Sequence, residues 1–168
     1  MYNTILFPTD GSDGAFAALE HARDVAEQYG ATLHVLFVAQ EDFGPSGMVD
    51  TDHEDIQKSD MTGERHDEDV KSGMTNVEHD DMGAIEAHGQ EVVGEVAQSL
   101  GDDIPVETVV LRGNPYQRIL DYSEENDADL IVMGTHGRTG VDRYLLGSVT
   151  EKVVRTSDVP VLTVRMDA

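Results

Sequence analysis

The chain has no cysteine, which excludes disulfides and thiolate catalysis and leaves any transition-metal site to histidine and carboxylate. Lysine is nearly as scarce, being confined to Lys58, Lys71 and Lys152. With 34 acidic residues against 11 lysines and arginines, the formal net charge is −23. A field of that sign repels nucleic acid and anionic membranes. No stretch approaches the ~18 consecutive apolar residues of a membrane span. Met1-Tyr2-Asn3-Thr4 also lacks a basic segment leading into an apolar one, so the sequence reads as a soluble, cytoplasmic protein. Like-charge repulsion of this density opposes a compact state unless salt screens it, the Debye length falling to ~3 Å at 1 M. The composition therefore points to a salt-accumulating host; the alternative is an ordinary acidic protein with one extreme loop.

What is present suffices for one domain. The 168 residues, 39% of them apolar, can close a single hydrophobic core. The charge is uneven: residues 41–83 carry 14 acidic side chains against 3 basic ones, a net of −11 in a quarter of the chain. This middle segment holds a 13-residue repeat, MVDTDHEDIQKSD from Met48, MTGERHDEDVKSG from Met61 and MTNVEHDDMGAIE from Met74. His53, His66 and His79 recur in phase, each followed by two acidic residues. Imidazole and carboxylate together suit a divalent metal. The competing reading is a duplicated, solvated acidic loop too poor in apolar side chains to offset its ordering entropy. A step of 13 is no clean multiple of a helical repeat, so the three histidines do not share a helix face.

Outside residues 41–83, strand and helix signals alternate. Tyr2 to Phe7 is a short apolar run closed by Pro8-Thr9-Asp10-Gly11, a strand followed by a turn. Ala15, Ala18, Leu19, Ala22, Val25, Ala26 and Tyr29 recur at helical spacing, with Ser12 as N-cap and Gly30 as stop. Thr32 to Val38 reads as a second strand, Ile85 to Leu100 as a helix ended by Gly101, and Val106 to Leu111 as a third strand. Asn114-Pro115 opens a third helix, proline being favoured at the first helical position. Leu130 to Met133, Val149 to Thr156 and Val159 to Val164 complete the series as strand, helix and strand. Strands joined through helices are parallel. The expected fold is α/β: one open, doubly wound, Rossmann-like sheet of five parallel strands and four helices, with an acidic insert after the second strand.

In such sheets ligands bind beyond the carboxyl ends of the strands, where strand order reverses. The fourth strand runs directly into Gly134-Thr135-His136-Gly137-Arg138-Thr139-Gly140, and Gly147-Ser148 then opens a helix. Phosphate binding needs convergent N–H groups, close approach without Cβ atoms, and preferably a helix N-terminus. Glycines after a strand are also ordinary turn formers, and Ser148 with Glu151 spells a capping box that needs no ligand. The chain has neither the common P-loop pattern nor Gly-x-Gly-x-x-Gly after the first strand.

Gly134-x-x-Gly137, nine residues, then Gly147-Ser148 resembles the ATP-binding signature of the universal stress protein family. ILFPTDGS, NDADLIVMGTHGRTGVDRYLLGSVTEKVV and VPVLTVR resemble it too. The likeness covers roughly residues 2–40 and 84–168, and residues 41–83 fall where that family has a variable loop. With the acidic composition, it suggests a halophilic archaeal source.

The resemblance implies that Asp10, with Pro8 and Thr9 beside it, faces the adenosine end of ATP and a divalent ion, Mg²⁺ or Mn²⁺. It implies that the backbone of Val38 meets the adenine and that Met133 and Gly134 line the ribose side. Gly137, Arg138, Gly147, Ser148, Val149 and Thr150 would hold the phosphates. It further implies a homodimer paired through Val159 to Val164 and a regulatory, nucleotide-responsive role in stress. Two other functions stay open: a slow ATP-hydrolysing enzyme on the same sheet, and a metal-binding or interaction module built on the histidine repeat. No nucleophile–base pair stands out among the motifs, and His136 has no carboxylate partner in sequence.

Overall fold

The computed structural model of the chain describes residues 1–40, 78–136 and 146–166. Their elements run β1 (Thr4–Pro8), α1 (Asp13–Tyr29), β2 (Thr32–Ala39), α2 (Glu78–Leu100), β3 (Val106–Arg112), α3 (Pro115–Glu125), β4 (Leu130–Gly134), α4 (Ser148–Thr156) and β5 (Val161–Val164). All pairings are parallel, in the order β3-β2-β1-β4-β5. This is the expected α/β sheet of five parallel strands and four helices. The chain winds outward from β1 through β2 to β3, crosses back, and continues from β4 to β5.

The reason lies in which side chains each strand offers to its two faces. Ile5, Leu6 and Phe7 are wholly buried, as a central parallel strand requires with helices on both sides. On one face Ile5, Phe7, Leu33, Val35 and Phe37 meet the alanine-rich stripe of α1 and Val92, Val93 and Val96 of α2. On the other, Leu6, Leu36, Ile131 and Met133 meet Ile119 and Tyr122 of α3 and Val153 of α4. The alanines of α1 lose no side-chain entropy and let the helix lie close to the sheet.

Several boundaries differ from the sequence reading. Pairing in β1 begins at Thr4, because Tyr2 packs edge-on against Tyr29, ring centroids 5.0 Å apart, and the N–H of Asn3 donates to the Asp129 carboxylate. β5 begins at Val161, not Val159. The Ser157 hydroxyl donates to the Val159 carbonyl at 2.8 Å and accepts from the Val159 N–H at 3.1 Å, closing a turn there. α2 starts at Glu78, so the third repeat copy runs into a helix and His79 falls on its first turn. The rest of the acidic insert, residues 41–77 with His53 and His66, lies outside the described residues.

A pocket at the crossover of the sheet

Strand order reverses between β1 and β4, and those two strands pair over a short stretch, Ile5 with Leu130 and Leu6 with Ile131. Beyond it β1 continues beside β2 as far as Pro8. A proline has no N–H to offer a further neighbour. The crevice that opens there is a pocket of about 480 Å³, within the usual range for small-ligand sites.

The turn after β1 is held by its own side chains. The N–H of Thr9 donates to the Leu36 carbonyl at 2.9 Å. The Thr9 hydroxyl accepts from the Gly11 N–H at 3.2 Å, and the Asp10 carboxylate accepts from the Ser12 N–H at 2.9 Å. Gly11 sits at φ +75°, in the left-handed region that favours glycine. Ser12 then caps α1 by accepting from the Ala15 N–H at 3.3 Å. The pocket thus receives Pro8, Thr9 and Asp10 from a pre-set turn, with Asp10 half-buried.

On the other side, β4 ends in contact with backbone. A Cβ on Gly134 would lie 2.5 Å from the Gly14 carbonyl oxygen, and one on Gly14 would lie 2.4 Å from the His136 carbonyl oxygen. Two glycines therefore let the first turn of α1 dock on the end of β4, main chain on main chain. From there the segment is stitched to α4: the Gly147 N–H donates to the Thr135 carbonyl at 2.7 Å, and the buried Thr150 hydroxyl donates to the Gly134 carbonyl at 2.9 Å.

The first intrahelical bond of α4 runs from the Glu151 N–H to the Gly147 carbonyl at 2.9 Å, so the N–H groups of Ser148, Val149 and Thr150 precede the helix's own ladder. The capping box expected of Ser148 and Glu151 does not form. Gly147 is the N-cap, without a side-chain bond, and Ser148 is one position too late to cap.

Ten of the twelve residues singled out in the sequence line this pocket: Pro8, Thr9, Asp10, Val38, Met133, Gly134, Gly147, Ser148, Val149 and Thr150. Gly137 and Arg138 lie outside the described residues. Sequence reasoning overlooked Leu36 and Gln40, which share β2 and its carboxyl end with Val38, and Pro115, whose place at the start of α3 was the available signal. Ile85 and Ile119 also line it, and only the packing of α2 and α3 shows this. Next to Ile85 on α2, Glu86 pairs with the Arg112 guanidinium from the end of β3. That bond keeps the Glu86 carboxyl below its ordinary range.

The lining combines apolar side chains, Leu36, Phe37, Val38, Ile85, Ile119 and Met133, with polar groups from Thr9, Asp10, Gln40, His136 and the start of α4. Asp10 is the one carboxylate among the described lining residues, and no described group of three or more histidine or acidic side chains is placed to hold a metal. A divalent ion here would need most of its oxygen ligands from the bound molecule and from water.

The universal stress protein family model matches residues 1–165. The chain belongs to the universal stress protein family. Universal stress protein MJ0531 of Methanocaldococcus jannaschii is 32% identical over 166 residues, covering 98% of this chain and 83% of that one. The solved structure of MJ0577, from the same organism, superposes with a TM-score of 0.76 at 26% identity, covering 100% and 99% of the two chains. A universal stress protein solved in complex with cAMP shares the fold, with a TM-score of 0.58 at 23% identity and coverage of 98% and 97%. No helix among the described residues of this family member is long and apolar enough to cross a membrane.

Proposed function

We propose that this universal stress protein binds an adenine nucleotide, ATP with Mg²⁺ or Mn²⁺, in the pocket between β1 and β4, and acts as a cytoplasmic regulator whose partner choice or shape follows occupancy. One observation carries the reading: a pocket of about 480 Å³ at the crossover, lined by apolar side chains together with Gly134, Gly147 and the first turn of α4, whose leading N–H groups precede the helix's own ladder. The base would lie against Val38, the ribose beside Met133 and Gly134, and the phosphates on Gly147 to Thr150. Asp10 would share a divalent ion with them. The Thr150 hydroxyl is already donated to Gly134, which leaves its N–H as the group for a ligand. That a family member has been solved with cAMP supports an adenine nucleotide as the ligand class.

The dimer belongs to the same reading. Among the described residues β5 is an edge strand, and Leu162 on it is 37% exposed, with Val154 on α4 and Met166 after β5 also exposed. An apolar edge calls for cover. A second copy paired along β5, Val161 to Val164, would supply it.

Calorimetric titration with ATP and Mg²⁺ at high salt tests the assignment. Binding is expected in the unmodified chain, and at least a tenfold loss, about 1.4 kcal/mol, in the Gly137→Val, Gly147→Val double variant. Unchanged affinity in that variant would remove the glycine segment from the site. Deleting residues 41–77 is expected to leave ATP binding intact; if it abolishes binding, the repeat segment is part of the nucleotide function.

A further inference from the structure

We propose that Gln40 reads the base: its side-chain amide pairs with the N6 amino group and the N7 ring nitrogen of adenine, so that the pocket prefers adenine to purines with an oxygen in place of that amino group. The inference rests on the nucleotide reading above and deepens it.

Most of the wall on the β2 side is blind to the identity of a purine. Leu36, Phe37 and Val38 from β2, Ile85 from α2, and Pro115 and Ile119 from α3 are all apolar. Such walls select shape far better than they select hydrogen-bonding groups. The polar lining side chains come from other elements. Thr9 and Asp10 follow β1, His136 follows β4, and Ser148 and Thr150 belong to α4, where the ribose and phosphates would lie. Gln40 is the exception. It stands one residue past the end of β2 and two past Val38, and among the described lining residues it alone brings a polar side chain from that strand.

Its bonding separates it from the rest as well. The Thr9 hydroxyl, the Asp10 carboxylate and the Thr150 hydroxyl are engaged with main-chain groups of Gly11, Ser12 and Gly134. The exposed Gln40 amide has no hydrogen-bond partner among the described residues. Its main chain, by contrast, is anchored: Ala39 pairs with Arg112 of β3, and the Gly113 N–H donates to the Ala39 carbonyl at 3.0 Å. An uncommitted amide is thus carried at a fixed strand end, on the side of the pocket where the base would rest.

A glutamine amide offers one acceptor and two donors. Its oxygen accepts from the adenine N6 amino group while its nitrogen donates to N7, a matched pair of bonds. In guanine or hypoxanthine both positions are acceptors, so one end of the amide faces a group it cannot bond. Sites built to hydrogen-bond a ligand group reject the analogue lacking it more strongly than hydrocarbon does.

Calorimetry at high salt with ATP, ITP and 7-deaza-ATP, the last carrying carbon in place of N7, tests this. For the unmodified chain, ITP and 7-deaza-ATP are each expected to bind about tenfold more weakly than ATP. In Gln40→Leu the ATP affinity should fall to the level of the two analogues, whose own affinities hardly change. The melting temperature should stay where it is, because the amide bonds nothing in the described fold. Equal affinity of the unmodified chain for ATP and 7-deaza-ATP, a reading that needs no variant, overturns the proposal. So does a preference for ATP that persists in Gln40→Leu, or an equal weakening of all three ligands there. Each of these results leaves the nucleotide reading standing. Failure of all three ligands to bind the unmodified chain overturns both.

Discussion

The two ends of this sheet are closed differently. At the amino end, side chains bind backbone: the Asp129 carboxylate accepts from the N–H groups of Asn3 and Thr4 at 2.6 and 3.1 Å. Just inside, the buried Tyr122 hydroxyl lies 2.9 Å from His34 Nδ1, tying α3 to β2. At the carboxyl end, backbone meets backbone through Gly14 and Gly134, and a pocket is left between the strands. Both ends use polar side chains on backbone, as Thr9, Asp10 and Thr150 do at the carboxyl end, but only that end also omits side chains, at Gly14 and Gly134, to bring main chain onto main chain. A substitution should therefore be felt differently according to the end it strikes.

Gly134→Val is expected to do the most damage. Its Cβ would sit 2.5 Å from the Gly14 carbonyl oxygen, and overpacking of a tight contact costs about 3 kcal/mol. A thermal melt should fall by about 8 °C for a domain of this size, with nucleotide affinity lost as well. Equal loss of stability with affinity retained would show that the carboxyl end is ordinary core.

Tyr122→Phe strikes the other end. It strips the bond from a buried histidine, which costs about 1.5 kcal/mol, and should lower the melting temperature by about 5 °C while leaving nucleotide affinity unchanged. Tyr122 is itself held above its ordinary pKa, by burial first and by the nearby Glu107 carboxylate second, so no tyrosinate forms near neutral pH to confuse the result.

Asp129→Asn should be milder, below about 1 kcal/mol, since the carboxylate is only partly shielded from solvent. The N–H groups of Asn3 and Thr4 hold its pKa below the ordinary value. A depressed carboxyl stabilises the fold above its unfolded value, ~3.9, and that contribution disappears as pH falls through the folded value. The variant's deficit should therefore be visible in melts at neutral pH and vanish in strong acid. A deficit that persists there would mean the bonds are not charge-assisted.

Ser148→Ala closes the series with almost no change, within about 0.5 kcal/mol, because Ser148 caps nothing. A larger loss would restore the capping box.

The alternation of apolar runs and helical stripes carried nearly all of the fold, because burial on both faces of a parallel strand leaves a signal in composition alone. The caps of α1 were equally plain: Ser12 does accept from Ala15, and Gly30 does stand at φ +65°. Less legible were the places where tertiary contacts decide. Tyr2 had the composition of a strand but found Tyr29, and Val159 was drawn into a turn by Ser157. In the pocket, Asp10 and the glycines announced themselves by type and position. Ile85 and Ile119 did not, since an apolar residue on a helix looks the same whether it faces a neighbour or a cavity. Gly14 was passed over for the same reason, its role existing only because β4 arrives beside it.

That arrival has a consequence for how the molecule is made. The bond from the Asn3 N–H to Asp129 joins residues 126 positions apart, and β1 gains its second neighbour through pairs such as Ile5 with Leu130. The central strand's second partner lies more than 120 residues further along the chain. Lengthening the segment between costs little at equilibrium, about 0.6 kcal/mol for each doubling of a flexible loop, but distant pairings slow folding far more than they weaken it. The crevice between β1 and β4 thus depends on the most distant pairings in the sheet, which ties the pocket to the slowest kind of contact a chain has to make.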